Sequence, residues 1–174
     1  IEPRKNHAYL LDAFERLWAE GSEVALCFVG KVGWKTEQLV ARVREHPRLN
    51  RQLFMFNDLS DRELEYCYTH VRSLVFPSYV EGFGLPLVEA MQRGLPAMGS
   101  DLPVFREIGG EYMAYFGLDR PADLAELVQR FESSGQFPAA RALSGWRWID
   151  WRESAGQLIA GVAAGRAGQH ARSA

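Results

Sequence analysis

Short apolar runs alternate with helical patterns along almost the whole chain, and this alternation constrains the fold more than any single residue does. The runs are EVALCFVG (23–30), LFMFN (53–57), SLVFPS (73–78), LPAMGSD (95–101) and EYMAYFG (111–117). The first is nearly continuous in apolar residues and ends in Gly30, the pattern of a strand covered on both faces. Strands that alternate with helices of about ten residues predict a parallel, doubly wound sheet. The sequence thus predicts a Rossmann-like α/β domain over residues 1–165, closed by a C-terminal helix.

The helical segments carry their own boundary signals. HAYLLDAFERLWAE (7–20) repeats Leu10, Ala13, Phe14 and Leu17 on one face, with Asn6 as its N-cap. KTEQLVARVREH (35–46) stops before Pro47, and SDRELEYCYTHV (60–71) opens with Ser60 and Glu63 at capping-box spacing. LPLVEAMQRG (85–94) has Pro86 in its first turn and Gly94 after its last. PVFREIG (103–109) and RPADLAELVQRFESS (120–134) follow, and an aromatic-rich stretch leads into the last helix (145–165). Residues 166–174 lack a periodic apolar face and are expected to fray. A Rossmann-like sheet needs a central first strand before the loop that holds Arg4 and Lys5. Only four residues precede Lys5, so the expectation is that upstream chain, including one strand of this domain, is missing.

Composition excludes several classes. A net charge of −2 with scattered basic residues gives no electrostatic case for nucleic acid, and the basic run 42–51 reads as a solvated helix end. Cys27 and Cys67 have no Cys or His neighbour at metal-ligand spacing and read as inert core thiols, so no metal is expected. No apolar run approaches the roughly 20 residues of a membrane span, and no signal peptide is visible. The chain is expected to be cytoplasmic. His7 and His70 flank helix ends, His46 precedes Pro47 and His170 lies in the tail, so no Ser-His-Asp set is formed.

The chemistry concentrates in SYVEGFGLPLVEA (78–90), at the end of one predicted strand. Gly82 and Gly84 allow a ligand to approach the backbone closely. Pro86 fixes the helix start behind them, and the free N–H groups there form an anion site. Glu81 lies on the loop and Glu89 one turn into the helix, so both can face one ligand. Three readings remain open on the residues alone. An acid–base pair would need carboxyl groups about 5 to 9.5 Å apart, a phosphate cradle would use the glycine amides, and a plain strand-to-helix turn would need neither. GFGLPL lacks the third glycine of a dinucleotide fingerprint, and no P-loop is present.

The stretch FPSYVEGFGLPLVEAMQRGLPAMGSDLPVFREIGG (76–110) closely resembles the donor-binding segment of retaining GT-B glycosyltransferases of glycosyltransferase family 4, the glycosyl transferases group 1. That family carries two glutamates around Gly-Phe-Gly, then Glu-Ala-Met and Gly-x-Pro. EPRKNHAYLLDAF, FVGKVGW, FNDLSDRELEYCY and DWRESAGQLI resemble other family segments in the same order, over about residues 2 to 163. The resemblance implies one half of a GT-B fold that binds a nucleotide-diphospho-sugar donor. It implies that Glu89 holds the ribose hydroxyls, that Glu81 attends the donor sugar, and that the amides of Gly82, Phe83, Gly84 and Leu85, ahead of Pro86, meet sugar and phosphate. Lys5 matches the lysine that neutralises the diphosphate, with Arg4 on its rim. Asn57, Asp58 and Leu59 match the region whose backbone touches the base, and Gly30 lies where the nucleotide approaches closely.

By the same resemblance the activity is retaining transfer of a hexose, mannose from a GDP-sugar being the favoured case, to a glycan or glycolipid. No cofactor is implied, because a lysine and a helix start stabilise the leaving phosphate without metal. The acceptor would sit on a missing N-terminal domain, without which transfer should be poor, and the full-length enzyme could associate peripherally with the inner face of a membrane. The alternatives are a non-catalytic nucleotide-sugar module and, behind it, a GT-B nucleotide-sugar epimerase. Met98 and Gly99 depart from the family's usual residues and bear on the packing beneath the sugar.

Overall fold

The computed structural model describes residues 1–149 and 151–170. All five apolar runs form strands: β1 (Leu26–Val29), β2 (Leu53–Phe56), β3 (Leu74–Phe76), β4 (Ala97–Ser100) and β5 (Ala114–Phe116). The helices α1 (His7–Ala19), α2 (Glu37–Arg44), α3 (Asp61–His70), α4 (Leu85–Gln92) and α5 (Pro103–Gly109) alternate with them, and α6 (Pro121–Ser134) and α7 (Trp151–His170) follow. Every strand pairing is parallel, with Leu26 opposite Leu53, Leu74 opposite Ala97 and Met98 opposite Ala114.

The sheet comes in two pieces, β1-β2 and β3-β4-β5. Residues 1–4 cross between the carboxyl ends of β1 and β3. The Ile1 carbonyl accepts the Gly33 N–H at 2.8 Å, and the Arg4 carbonyl accepts the Tyr79 N–H at 2.9 Å. In a doubly wound sheet the place between these two strands belongs to the first strand, and no described residue occupies it. The continuous sheet that the alternation predicts is therefore realised as two parallel halves, tied by that crossing and by a shared core.

The core explains the alternation. Helices α1 and α6 bury Leu10, Phe14 and Leu17 with Leu124, Val128 and Phe131, against Leu26, Phe28, Met98 and Phe116. On the opposite face α4 and α5 bury Leu87, Met91, Phe105 and Ile108 against Phe76 and Ala97. All four residues of β4 are buried, as in a strand with both faces covered. Phe105 is the pivot beneath the glycine loop. A Cβ at Gly84 would come 3.0 Å from its ring, and one at Gly99 3.1 Å. Gly99 would also press on Met113 at 3.0 Å, so the departure at this position leaves room for two larger neighbours.

Two local readings meet different outcomes. Ser60 and Glu63 form the capping box, with the Ser60 N–H donating to Glu63 Oε2 at 2.8 Å. Asn6 stands at the N-cap of α1 but makes no side-chain cap bond. Its φ is +51°, and its buried Nδ2 has no partner among the described residues. The chain turns there from a 3-10 turn at Pro3–Lys5 directly into α1, and asparagine serves by tolerating the left-handed backbone rather than by capping. The last helix continues to His170, beyond the expected end at 165. The rest of the expected frayed tail, 171–174, lies outside the described residues. No described helix is long and apolar enough to cross a membrane.

His7 packs edge-on against Phe28 at 5.3 Å, and its Nδ1 has no partner among the described residues. Burial, helped by neighbouring positive charge, pulls its pKa down from 6.5 to about 4. The unfolded chain therefore binds the proton more readily, and stability contributed by neutral His7 falls as pH drops from about 6.5 to about 4. The loss expected across that window is about 3 kcal/mol. Denaturant unfolding at pH 7 and pH 4.5 checks it: His7→Leu should flatten this part of the pH profile, and an unchanged profile would remove His7 as its cause.

Candidate functional site

The carboxyl ends of β1, β2 and β3 and the Pro3–Lys5 turn carry the residues singled out from the sequence. Past β1, Gly30 adopts φ +138° and donates its N–H to the Phe56 carbonyl at 3.1 Å. Past β2, Asn57 Oδ1 accepts the Val32 N–H at 2.9 Å, and Lys31 pairs with Asp58 at 3.0 Å on the surface. Gly30 and Asn57 are thus brought together, with half-buried Leu59 leading into the cap of α3.

Past β3, Ser78 is fully buried, and its carbonyl accepts the Ser100 hydroxyl at 2.6 Å. This anchors the loop that carries Glu81. Ser78 Oγ donates to Glu81 Oε1 at 2.9 Å and Arg4 Nη1 pairs with Oε2 at 2.6 Å, leaving the Glu81 side chain 10% exposed. Arg4 also pairs with Glu2 at 2.8 Å, so two carboxylates compensate its charge. Lys5 differs. Among the described residues no carboxylate lies within 4.0 Å of it, and its Nζ stands 5.8 Å from the Phe76 ring centroid. The turn therefore presents one compensated and one uncompensated cation beside the same loop.

Gly82, Phe83 and Leu85 are exposed, and no described group accepts their N–H or that of Gly84. Gly84, at φ +102°, is the N-cap of α4, and Pro86 sits in the first turn. A side chain at Gly84 would meet both an unfavourable backbone region and the Phe105 ring. Phe83 is held from the other side by Trp148, edge-on at 5.5 Å, and Trp148 stacks on Trp146 at 6.1 Å. Trp146 Nε1 in turn donates to the Ile108 carbonyl at 2.9 Å. The aromatic stretch before α7 thus braces the glycine loop.

Glu89 lies in the second turn of α4, half-buried, and Tyr68 of α3 donates its hydroxyl to Oε2 at 2.9 Å. The two glutamates belong to separate networks, Glu81 with Arg4 and Ser78, Glu89 with Tyr68. Sequence reasoning did not find Tyr68, Ser78, the Arg4–Glu81 pair or the tryptophan brace. One signal was present: Tyr68 lies four residues after Leu64 on the inward side of α3, where a tyrosine hydroxyl needs a partner.

A parallel α/β sheet, a glycine loop at the carboxyl end of a strand and a helix start behind it define a Rossmann-like ligand-binding domain. The sequence matches the family model of glycosyl transferases group 1 over residues 1–144, and the chain belongs to that family. It is 42% identical over 159 residues to the serotype-specific mannosyltransferase WbdA of Escherichia coli, covering 91% of this chain and 20% of that protein. It is 30% identical to the O-antigen chain mannosyltransferase B of Escherichia coli, covering 91% of this chain and 42% of that one. The chain thus spans about a fifth of the length of the first of these relatives. The C-terminal domain of a glycosyl transferase group 1 family protein, LpcC, from Francisella tularensis superposes with a TM-score of 0.69 at 17% identity, covering 82% of this chain and 77% of that one.

Proposed function

We propose that this chain binds a nucleotide-diphospho-sugar, GDP-mannose being the favoured donor, for retaining hexosyl transfer to an O-antigen or related glycan. The observation that carries the reading is that, among the described residues, Lys5 has no carboxylate within 4.0 Å and the N–H groups of Gly82 to Leu85 have no acceptor, the turn that holds Lys5 being tied to their loop through Arg4 and Glu81. A point charge and a helix start with free amides suit a diphosphate, and both stabilise the charge that grows as the sugar leaves. In this reading Lys5 supplies that charge without a metal. Glu81 attends the sugar, Glu89 takes the ribose hydroxyls, and Gly30 with the Asn57–Leu59 loop borders the base. The mannosyltransferase relatives support the choice of sugar. Transfer further requires a second domain for the acceptor, and the whole enzyme works in the cytoplasm at the inner face of the membrane.

Calorimetric titration of the full polypeptide with GDP, UDP and ADP, free and as sugar conjugates, tests the reading. One base should bind, and Glu89→Ala should weaken it by about 1–3 kcal/mol, the cost of losing hydrogen bonds to a charged group. Equal affinity in variant and parent would remove Glu89 from the site.

A further inference from the structure

Glu89 is gripped from behind by a small polar assembly that joins α3 to α4. Tyr68 donates to Glu89 Oε2 at 2.9 Å, and Arg93, one turn after Glu89, donates from Nη1 to the Glu89 carbonyl at 2.9 Å. The Arg93 guanidinium lies 4.9 Å from the centroid of the Tyr68 ring, and its Nε pairs with Glu65 at 2.8 Å. Glu65 precedes Tyr68 by one turn of α3. The chain Glu65–Arg93–Tyr68–Glu89 therefore returns to its own pair of helices. Among the described residues no group bonds the other carboxylate oxygen of Glu89, Oε1.

We infer that Tyr68, braced by Arg93 and Glu65, is a positioning residue for the nucleotide ribose and acts by fixing the carboxylate of Glu89. The inference rests on the reading of Glu89 as the ribose-binding group. A glutamate on a helix surface has three rotatable bonds and loses affinity by sampling orientations that miss its ligand. A hydrogen bond on one oxygen sets the plane of the carboxylate and leaves the second to a vicinal diol. Burial, then the bond to Glu89, pushes the Tyr68 hydroxyl well above the usual phenol range, so it stays a donor throughout the working pH range.

The test separates orientation of the ribose from general support of the fold. GDP and UDP, each beside its 2′,3′-dideoxy analogue, are titrated calorimetrically into the full polypeptide, into Tyr68→Phe and into Glu89→Gln, with melting temperatures measured in parallel. The parent should prefer the ribonucleotide. Tyr68→Phe should weaken the ribonucleotide about 5- to 10-fold and leave the dideoxy form unchanged, so the preference shrinks. Glu89→Gln should shrink it too. If Tyr68→Phe weakens both forms alike, or neither, while Glu89→Gln loses the preference, the positioning role is overturned and the role of Glu89 stands. If Glu89→Gln keeps the full preference, the reading of Glu89 falls and the inference with it.

Discussion

Replacing Lys5 by alanine is expected to lower turnover by about 100- to 1,000-fold while leaving the melting temperature of the protein almost unchanged. The magnitude is that of removing one preorganised donor from a charge that develops in the transition state. The small structural cost follows from the environment of Lys5, which is half-buried, has no carboxylate within 4.0 Å among the described residues and holds its Nζ 5.8 Å from the Phe76 ring centroid. The neighbouring arginine supplies the contrast. Arg4 already pairs with Glu2 and Glu81, so Arg4→Ala removes a charge that two carboxylates hold. Its principal effect should be to release Glu81, with a smaller loss in turnover than Lys5→Ala. Steady-state kinetics on the full-length enzyme distinguish the two, and unchanged turnover in Lys5→Ala would exclude it from the phosphate site.

Phe105→Ala should be strongly destabilising, costing about 3–5 kcal/mol, as phenylalanine truncation in a packed core does. Phe105 is fully buried, its ring centroid lies 5.6 Å from that of Phe76, and it fills the space that glycine leaves at positions 84 and 99. At about 2–4 °C per kcal/mol for a chain of this size, the melting midpoint should fall by about 10 °C. The glycine loop would lose its floor at the same time, so nucleotide affinity measured well below the midpoint should fall as well. Phe105→Leu keeps most of the volume and should cost less on both counts. A shift of under about 2 °C in Phe105→Ala would mean that the loop and β4 are supported by other contacts.

The parts of the fold legible in the sequence were those fixed by local chemistry. The five apolar runs became five parallel strands, and Ser60 with Glu63 became a capping box, because both signals lie within a few consecutive residues. The strands are shorter than the runs: in 73–78 only Leu74–Phe76 are strand, and Pro77 and Ser78 already belong to the loop. Asn6 is the N-cap of α1 as its position indicated, but it serves through left-handed backbone and makes no side-chain cap bond, two uses of asparagine that the sequence does not separate. The glycine loop and its glutamates were legible as a motif, whereas their partners were not. Arg4 was legible as a cation of the site but not as the partner of Glu81, and Ser100, Tyr68 and Trp148 reach the site from other elements through tertiary packing. The departure at Gly99 was legible as a packing change, and its partners, Phe105 and Met113, which occupy the space of the missing side chain, were not.

The place left between β1 and β3 has a bearing on solution behaviour. Among the described residues β1 pairs only with β2, and β3 only with β4, so each leaves one edge of backbone donors and acceptors without a ladder. Such edges are templates for strand addition and, in concentrated solution, for edge-to-edge association between molecules. Their lengths of four and three residues keep that liability small.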